Sequence, residues 1–193
     1  MSCKNNNSEE NLKQSEINDT TLTVYNRLIE LKNNVDKEWA DVRMQYQRRA
    51  DVLINLIETA KVAATNEKDI LIEVTNAREG ITEAKEAMSA AKTPAELNLL
   101  LQKVQANASS IRLTFEAYPN IRSTEAFLKF QDEIAGIENR ISVVRERYNQ
   151  VTKLYNNELE NSSLKDKDIL KSFQTKPYFE AKVGSENAPK IKF

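Results

Sequence analysis

Three kinds of side chain in this sequence have the chemistry to build a site. Cys3 is the one cysteine, a thiol that can carry an acyl group. The neighbouring carboxylates Glu83 and Glu86, and Asp132 and Glu133, have the spacing for acid–base work or for gripping a metal ion. Arg49 breaks into an otherwise apolar series of residues. Glu138 lies one position beyond a residue of such a series, Ile137, and Glu116 sits beside Phe115. The protein has no histidine. That removes Ser-His-Asp and Cys-His catalysis, histidine general bases and histidine-ligated metals together. Dinuclear carboxylate bundles also draw on a Glu-x-x-His element, so no catalytic metal site is expected, and the charges on the second helix read as a solvated face. One cysteine forms neither an internal disulfide nor a Cys-rich zinc site. Gly80, Gly136 and Gly184 stand apart, so no phosphate-cradling loop exists. The reading is a non-enzyme that takes no cofactor and no metal.

The elements that carry these residues follow from spacing. At 193 residues the chain suits one domain with a substantial core. Glycine and proline number 3 and 4, too few for the turns of an all-β fold. From about Asp19, with Asp19 or Thr20 as N-cap, a 3-4 series runs Tyr25, Leu28, Lys32, Val35, Trp39, Val42, Tyr46, Arg49, Leu53, Leu56, Ala60, Ala63. That is the heptad of helices packed at shallow angles, a coiled-coil seam. "TNEKD" at 65–69 breaks it. A second, alanine-rich helix carries Ile70, Val74, Ala77, Ile81, Ala84, Met88 and Ala91. "KTPAEL" at 92–97 starts a third: Thr93 as N-cap, Pro94 at the first helical position and Glu96 closing a capping box. Its seam is Leu97, Leu100, Val104, Ala108, Ile111 and Phe115, and Pro119 ends it near Tyr118. The fourth helix starts near Ser123, with Phe127, Phe130, Ile134, Ile137, Ile141, Val144, Tyr148, Val151 and Tyr155 as its seam.

Short connections between neighbours predict an all-α, up-down-up-down four-helix bundle whose first and fourth helices are long. The expected organisation is a flexible polar leader over residues 1–18, a bundle over 19–160 and a partly ordered tail over 161–193, with a short helix around 164–173. The long outer pair is expected to project as a two-helix stalk that leaves Tyr25, Leu28, Tyr148 and Tyr155 half covered. Phe173, Tyr178 and Phe179 of the aromatic tail are expected to pack there.

Several linked stretches resemble one family. Helix one reads "YNRLIELKNNVDKEWADVRMQYQRRADVLINLI", and "FEAYPNIRSTEAFLKFQDEI" is followed by "ENRISVVRERYNQVTKLYN". Tyr25-Asn26-x-Leu28, Trp39, Arg48-Arg49-x-Asp51, Asn55-Leu56, Glu116-x-Tyr118-Pro119, Glu138-Asn139-x-Ile141, Arg145 and Tyr148-Asn149 carry the likeness. Over about 22–180 the chain resembles the LemA family. The resemblance implies a helical bundle attached to a membrane by its N-terminal segment, through a transmembrane helix or a lipidated cysteine, with no established catalysis. Two positions depart from the family pattern. Ile54 stands where proline is frequent, so helix one is expected to be straighter, and "ELENSS" replaces a frequent Phe-Pro pair after the last Tyr-Asn.

Cys3 then has two readings. As the first residue of a mature lipoprotein it follows a small residue, Ser2, and the polar stretch after it serves as a tether. This needs an apolar signal segment upstream of Met1, cut away or lost through a misplaced start. Otherwise Cys3 is an incidental residue of a polar terminus. Arg49 and Glu138 form a candidate structural pair that sets helix register; the alternative is an arginine whose stem covers the seam. Asn26, Asn149 and Asn156 each follow a seam tyrosine. They are candidates for an interaction surface, between helices or with a partner, against plain solvation.

With a net charge of −1 the chain has no basic bias, which argues against a nucleic-acid partner. Its apolar runs, such as "VLINLI" at 52–57, are too short to span a bilayer. The functional expectation is a membrane-associated helical protein of the cell envelope, lipid-anchored at Cys3, working as a scaffold or interaction module toward an unknown protein partner or as a homo-oligomer. The alternative is a soluble cytoplasmic helical adaptor or self-associating scaffold without a lipid.

Overall fold

The structure, a computed structural model, describes residues 6–63, 68–116, 125–162 and 172–180. It contains four helices: α1 (Asn6–Ala63), α2 (Lys68–Met88), α3 (Pro94–Glu116) and α4 (Glu125–Asn161). There is no strand among the described residues, and α1 packs with α4 and α2 with α3, as an all-α four-helix bundle requires.

The leader expected over residues 1–18 is helical from Asn6 onward. Glu9, Glu10, Leu12, Lys13, Gln14 and Glu16 are good helix formers. Extending a nucleated helix costs far less than starting one, so α1 propagates backward past its expected cap. The helix also runs through Ile54 without interruption.

Along α1 the buried positions drift from the strict heptad of a coiled coil toward the period of a straight helix. On α1, Leu28, Val35, Val42, Tyr46, Arg49 and Leu53 are buried as expected, but Ile57 is buried where Leu56 was expected. Eight turns of about 3.6 residues from Leu28 land near residue 57, while a period of about 3.5 lands on 56. Leu101 is buried in place of Leu100, and Thr152 in place of Val151, but the seam residues that follow, Val104, Ala108 and Ile111 on α3 and Tyr155 on α4, are buried as expected, so these are local differences and not accumulated drift. The short α2 has no room for drift, and all seven of its expected seam residues, Ala91 just past its end included, are buried. The expected seam side chains of Ala60, Ala63, Phe115, Phe127, Phe130, Ile134 and Ile137 lie outside what the structure describes.

The chain divides into two compact units, Ala40–Glu146 with Pro177–Phe193, and Met1–Trp39 with Arg147–Lys176. In the first, a four-helix unit, Asp51 pairs with Lys85 and Glu58 with Arg78. Numbers rise along α1 as they fall along α2, so the two are antiparallel. These ion pairs are largely exposed and contribute about 0–1 kcal/mol each. Burial of Ile70, Val74, Ile81 and Met88 contributes more, about 1.5–3 kcal/mol per fully buried large side chain. The end of α2 tightens into i→i+3 bonds at Ser89, Ala90 and Ala91, and Arg43 Nη1 donates to the Ser89 carbonyl at 2.9 Å. The start of α3 is capped almost as expected. Glu96 N–H donates to Thr93 Oγ1 at 3.2 Å, but the Glu96 carboxylate accepts from Lys92 N–H, one residue before the cap.

In the second, a two-helix unit, Leu28, Leu31 and Val35 of α1 are buried with Tyr148 and Tyr155 of α4. Trp39 is half-buried, its ring 5.5 Å from that of Tyr148.

Candidate functional site

Two groups of polar side chains stand out, one in each unit. The first is built on Tyr46, a residue of the α1 seam with no exposed surface. A buried tyrosine needs a partner for its hydroxyl. Tyr46 Oη donates to Asn98 Oδ1 of α3 at 3.2 Å. Arg145 of α4 closes the triangle: its Nε donates to Tyr46 Oη and its Nη2 to Asn98 Oδ1. One edge of the guanidinium thereby holds two helices at once, a geometry that lysine cannot reproduce. The guanidinium carbon also lies 5.4 Å from the Tyr46 ring centre and 5.2 Å from that of Phe179, which is buried. Burial pushes the Tyr46 hydroxyl above its ordinary pKa. The charge of Arg145, its hydrogen bond and the charge of Arg49 pull the other way, and burial prevails. The phenol keeps its proton at physiological pH and donates it in the hydrogen bond to Asn98 Oδ1.

The second group lies on α1 and α4 in the two-helix unit. Tyr155 Oη donates to the Gln174 carbonyl at 3.0 Å. Asn156 Nδ2 donates to the Lys176 carbonyl at 2.9 Å, and Asn156 Oδ1 accepts from Lys176 N–H at 2.9 Å. Phe173 meets Tyr25 edge-on, ring centres 5.7 Å apart and planes at 83°. Lys176 Nζ lies 3.6 Å from Asp36, which also pairs with Lys32. Burial raises the Tyr155 pKa, and the Asp36 charge adds to it.

Several sequence-stretch expectations meet these facts. Asn156 is buried, and its amide is engaged by the chain's own backbone, so it does not belong to an exposed interaction surface. Asn26 is exposed and Asn149 half-buried. Asn149 and Asn156 stand seven residues apart on α4, on one face of that helix. Arg49 is buried at 4% exposure, whereas the Glu138 side chain lies outside the described residues, and so does Cys3. Phe173 packs on Tyr25 as expected of the tail. Phe179 is buried instead against Tyr46 and Arg145 in the four-helix unit, and Tyr178 is exposed at 41%. An aromatic ring goes where a cation and a second ring await it, and a phenol tolerates water better than a phenyl group. Asn98 and Lys176 were not singled out by spacing. The signal available was Tyr46 itself, whose position on the seam obliges some neighbour to take its hydrogen bond.

Among the described residues no group of carboxylates and cysteine is placed to hold a metal ion. No helix among them is long and apolar enough to cross a membrane. No curated protein matches the chain. A model of the LemA family matches residues 38–193, a span that holds Tyr46, Asn98, Arg145, Asn156 and the docked tail. A match over that much of the sequence settles its kinship: this chain belongs to the LemA family.

Proposed function

We propose that this LemA family chain is a non-enzymatic, membrane-associated helical protein, a scaffold or protein-interaction module of the cell envelope held to the membrane by a lipid on Cys3. One observation carries the reading of a module. The buried Tyr46 and Asn156 and the half-buried Asn98 and Arg145 spend hydrogen bonds on fixing the chain's own helices and tail. Chemistry on a substrate would need such groups turned toward it; here they set a shape. The anchor rests on Cys3 following Ser2 and on the N-terminal membrane attachment that the resemblance to the LemA family implies. Each buried CH2 of an acyl chain contributes about 0.8 kcal/mol, so a multiply acylated cysteine suffices for stable attachment.

Metabolic acyl labelling and membrane fractionation of the full-length protein test the anchor. The wild type is expected to be labelled and membrane-bound, and Cys3→Ser to be unlabelled and released. An unlabelled, soluble wild type supports the lipid-free adaptor instead. Thermal stabilisation by a small metabolite would point back to an enzyme.

A further inference from the structure

We infer that the face of α1 and α4 beneath residues 173–176 is a binding site for an extended peptide of a partner protein, one with an aromatic residue three positions ahead of a lysine, and that the chain's own segment occupies it in cis. This deepens the interaction-module reading and rests on it for the existence of a partner.

Residues 173–180 run without helix or strand. Their backbone groups must find hydrogen bonds elsewhere, and in the two-helix unit α4 supplies them. A carboxamide presents one donor and one acceptor side by side, as a peptide group of a neighbouring strand does. Asn156 thus reads the N–H and the carbonyl of Lys176 whatever side chain that residue bears. Tyr155 reads a second backbone carbonyl, that of Gln174. This is strand-like recognition performed by a helix, with affinity taken from the main chain and selectivity left to the side chains.

Two side chains give the selectivity. Phe173 stands edge-on to Tyr25, and Lys176 faces Asp36. Gln174 and Thr175 between them are exposed, so those positions tolerate substitution. The recognised pattern is Phe-x-x-Lys.

Burial is unequal across this contact. The reading groups belong to Tyr155 and Asn156 of α4, exposed by only 1% and 5% with the segment seated on them. The groups being read are half-buried or exposed in all four residues. The segment is held by three hydrogen bonds and two side-chain contacts, with its outer surface open to water, so a competing peptide has few contacts to replace. The tethered tail competes at an effective concentration on the order of millimolar, so a free peptide sees a blocked site until the tail is weakened. A second copy's tail would replace like with like and lose association entropy besides. A partner's peptide that fits better displaces the tail outright.

The probe is a fluorescent synthetic peptide LKSFQTKPY, the sequence of residues 170–178, titrated by anisotropy into the full chain without membrane. The Phe173→Ala/Lys176→Glu chain is expected to bind it about tenfold more tightly than the wild type, about 1.4 kcal/mol of lost competition. Asp36 is exposed, so Asp36→Lys preserves folding; added to the weakened chain it is expected to reverse the preference, favouring a peptide with Glu in place of the residue-176 lysine. Equal binding to wild type and weakened chain overturns the inference, provided circular dichroism shows both helical. So does equal binding of a scrambled peptide, or an unchanged preference in the Asp36→Lys chain. A wild-type dimer in sedimentation that Phe173→Ala dissolves makes a second copy the occupant, and overturns it too. None of these outcomes depends on acylation, so the site and the anchor fail separately.

Discussion

The two polar clusters use similar residues to opposite ends. In the four-helix unit, Tyr46, Asn98 and Arg145 tie helix to helix, and every partner is a side chain on a regular element. In the two-helix unit, Tyr155 and Asn156 tie a helix to an irregular backbone. A helix has already satisfied its main-chain groups internally, so another helix can be addressed only through its side chains. An extended segment still carries unmet N–H and carbonyl groups, and an asparagine meets both. The first arrangement specifies a fold. The second specifies a ligand that happens to be covalently attached.

The largest expected effect tests whether the four-helix unit owes its stability to apolar burial more than to its polar triangle. Ile81 is fully buried on α2. Ile81→Ala is expected to cost about 2–5 kcal/mol in urea denaturation, from lost transfer energy and the cavity left behind. Leu154→Ala, at an exposed position of α4, is expected to stay within about 0.5 kcal/mol. Equal costs would mean that the buried seam has been misplaced.

Next is the triangle. Arg145→Leu deprives Tyr46 Oη and Asn98 Oδ1 of a charged donor, and a cost of about 1.5–3 kcal/mol is expected. The same cluster responds to alkali. The folded-state pKa of Tyr46 is raised above the unfolded value of about 10. Below about pH 10 both states keep the proton and the contribution of the neutral phenol is complete. As pH rises through 10 toward the folded pKa the unfolded state sheds its proton first, and stability falls. Tyr155 acts in the same direction beside Asp36. Denaturation midpoints measured above pH 10 should therefore fall less steeply in Tyr46→Phe than in the wild type. An unchanged slope would remove Tyr46 from the alkaline transition.

The contrast also explains which parts could be read from the sequence. Helix identity was legible because glycine and proline are scarce and the apolar spacing is dense. All seven expected positions from Ile70 to Ala91 are buried, since over three heptads a period of 3.5 and one of 3.6 select the same residues. Over the length of α1 they part, and the inward residue becomes Ile57. The triangle was half legible: Tyr46 lay on the seam, but its partners come from two other helices, and spacing along one helix carries no information about register between helices. The docked tail was legible as aromatic and not as hydrogen-bonded. A backbone carbonyl such as that of Gln174 has no signature in the sequence.

A smaller effect is expected at the helix-to-backbone contact. Asn156→Ala removes both hydrogen bonds to Lys176, at a cost of about 1–2 kcal/mol. The loss should be local. Hydrogen exchange at the Lys176 amide should speed up while the far-ultraviolet helical signal holds. Loss of helix in step with tail release would merge the two kinds of cluster into one structural role.

The smallest effect sharpens the helix-to-helix side of the contrast. A Cβ built on Gly80 of α2 would lie 2.7 Å from Asn107 Nδ2 of α3. That amide donates to the Lys103 carbonyl of its own helix at 2.9 Å, so the side chain is folded back and must swing away. Alanine in place of glycine favours a helix interior by about 1 kcal/mol. Losing the Asn107 hydrogen bond costs about 0.5–1.5 kcal/mol. Gly80→Ala alone should therefore change stability little. In an Asn107→Ala background nothing stands in the way, and the same substitution should gain about 1 kcal/mol. The coupling between the two sites, measured by denaturation of all four variants, reads how closely α2 approaches α3 at this level. A full gain from Gly80→Ala by itself would show that Asn107 yields freely, and that polar side chains wedged between these helices do less to fix their spacing than those of the Tyr46 triangle.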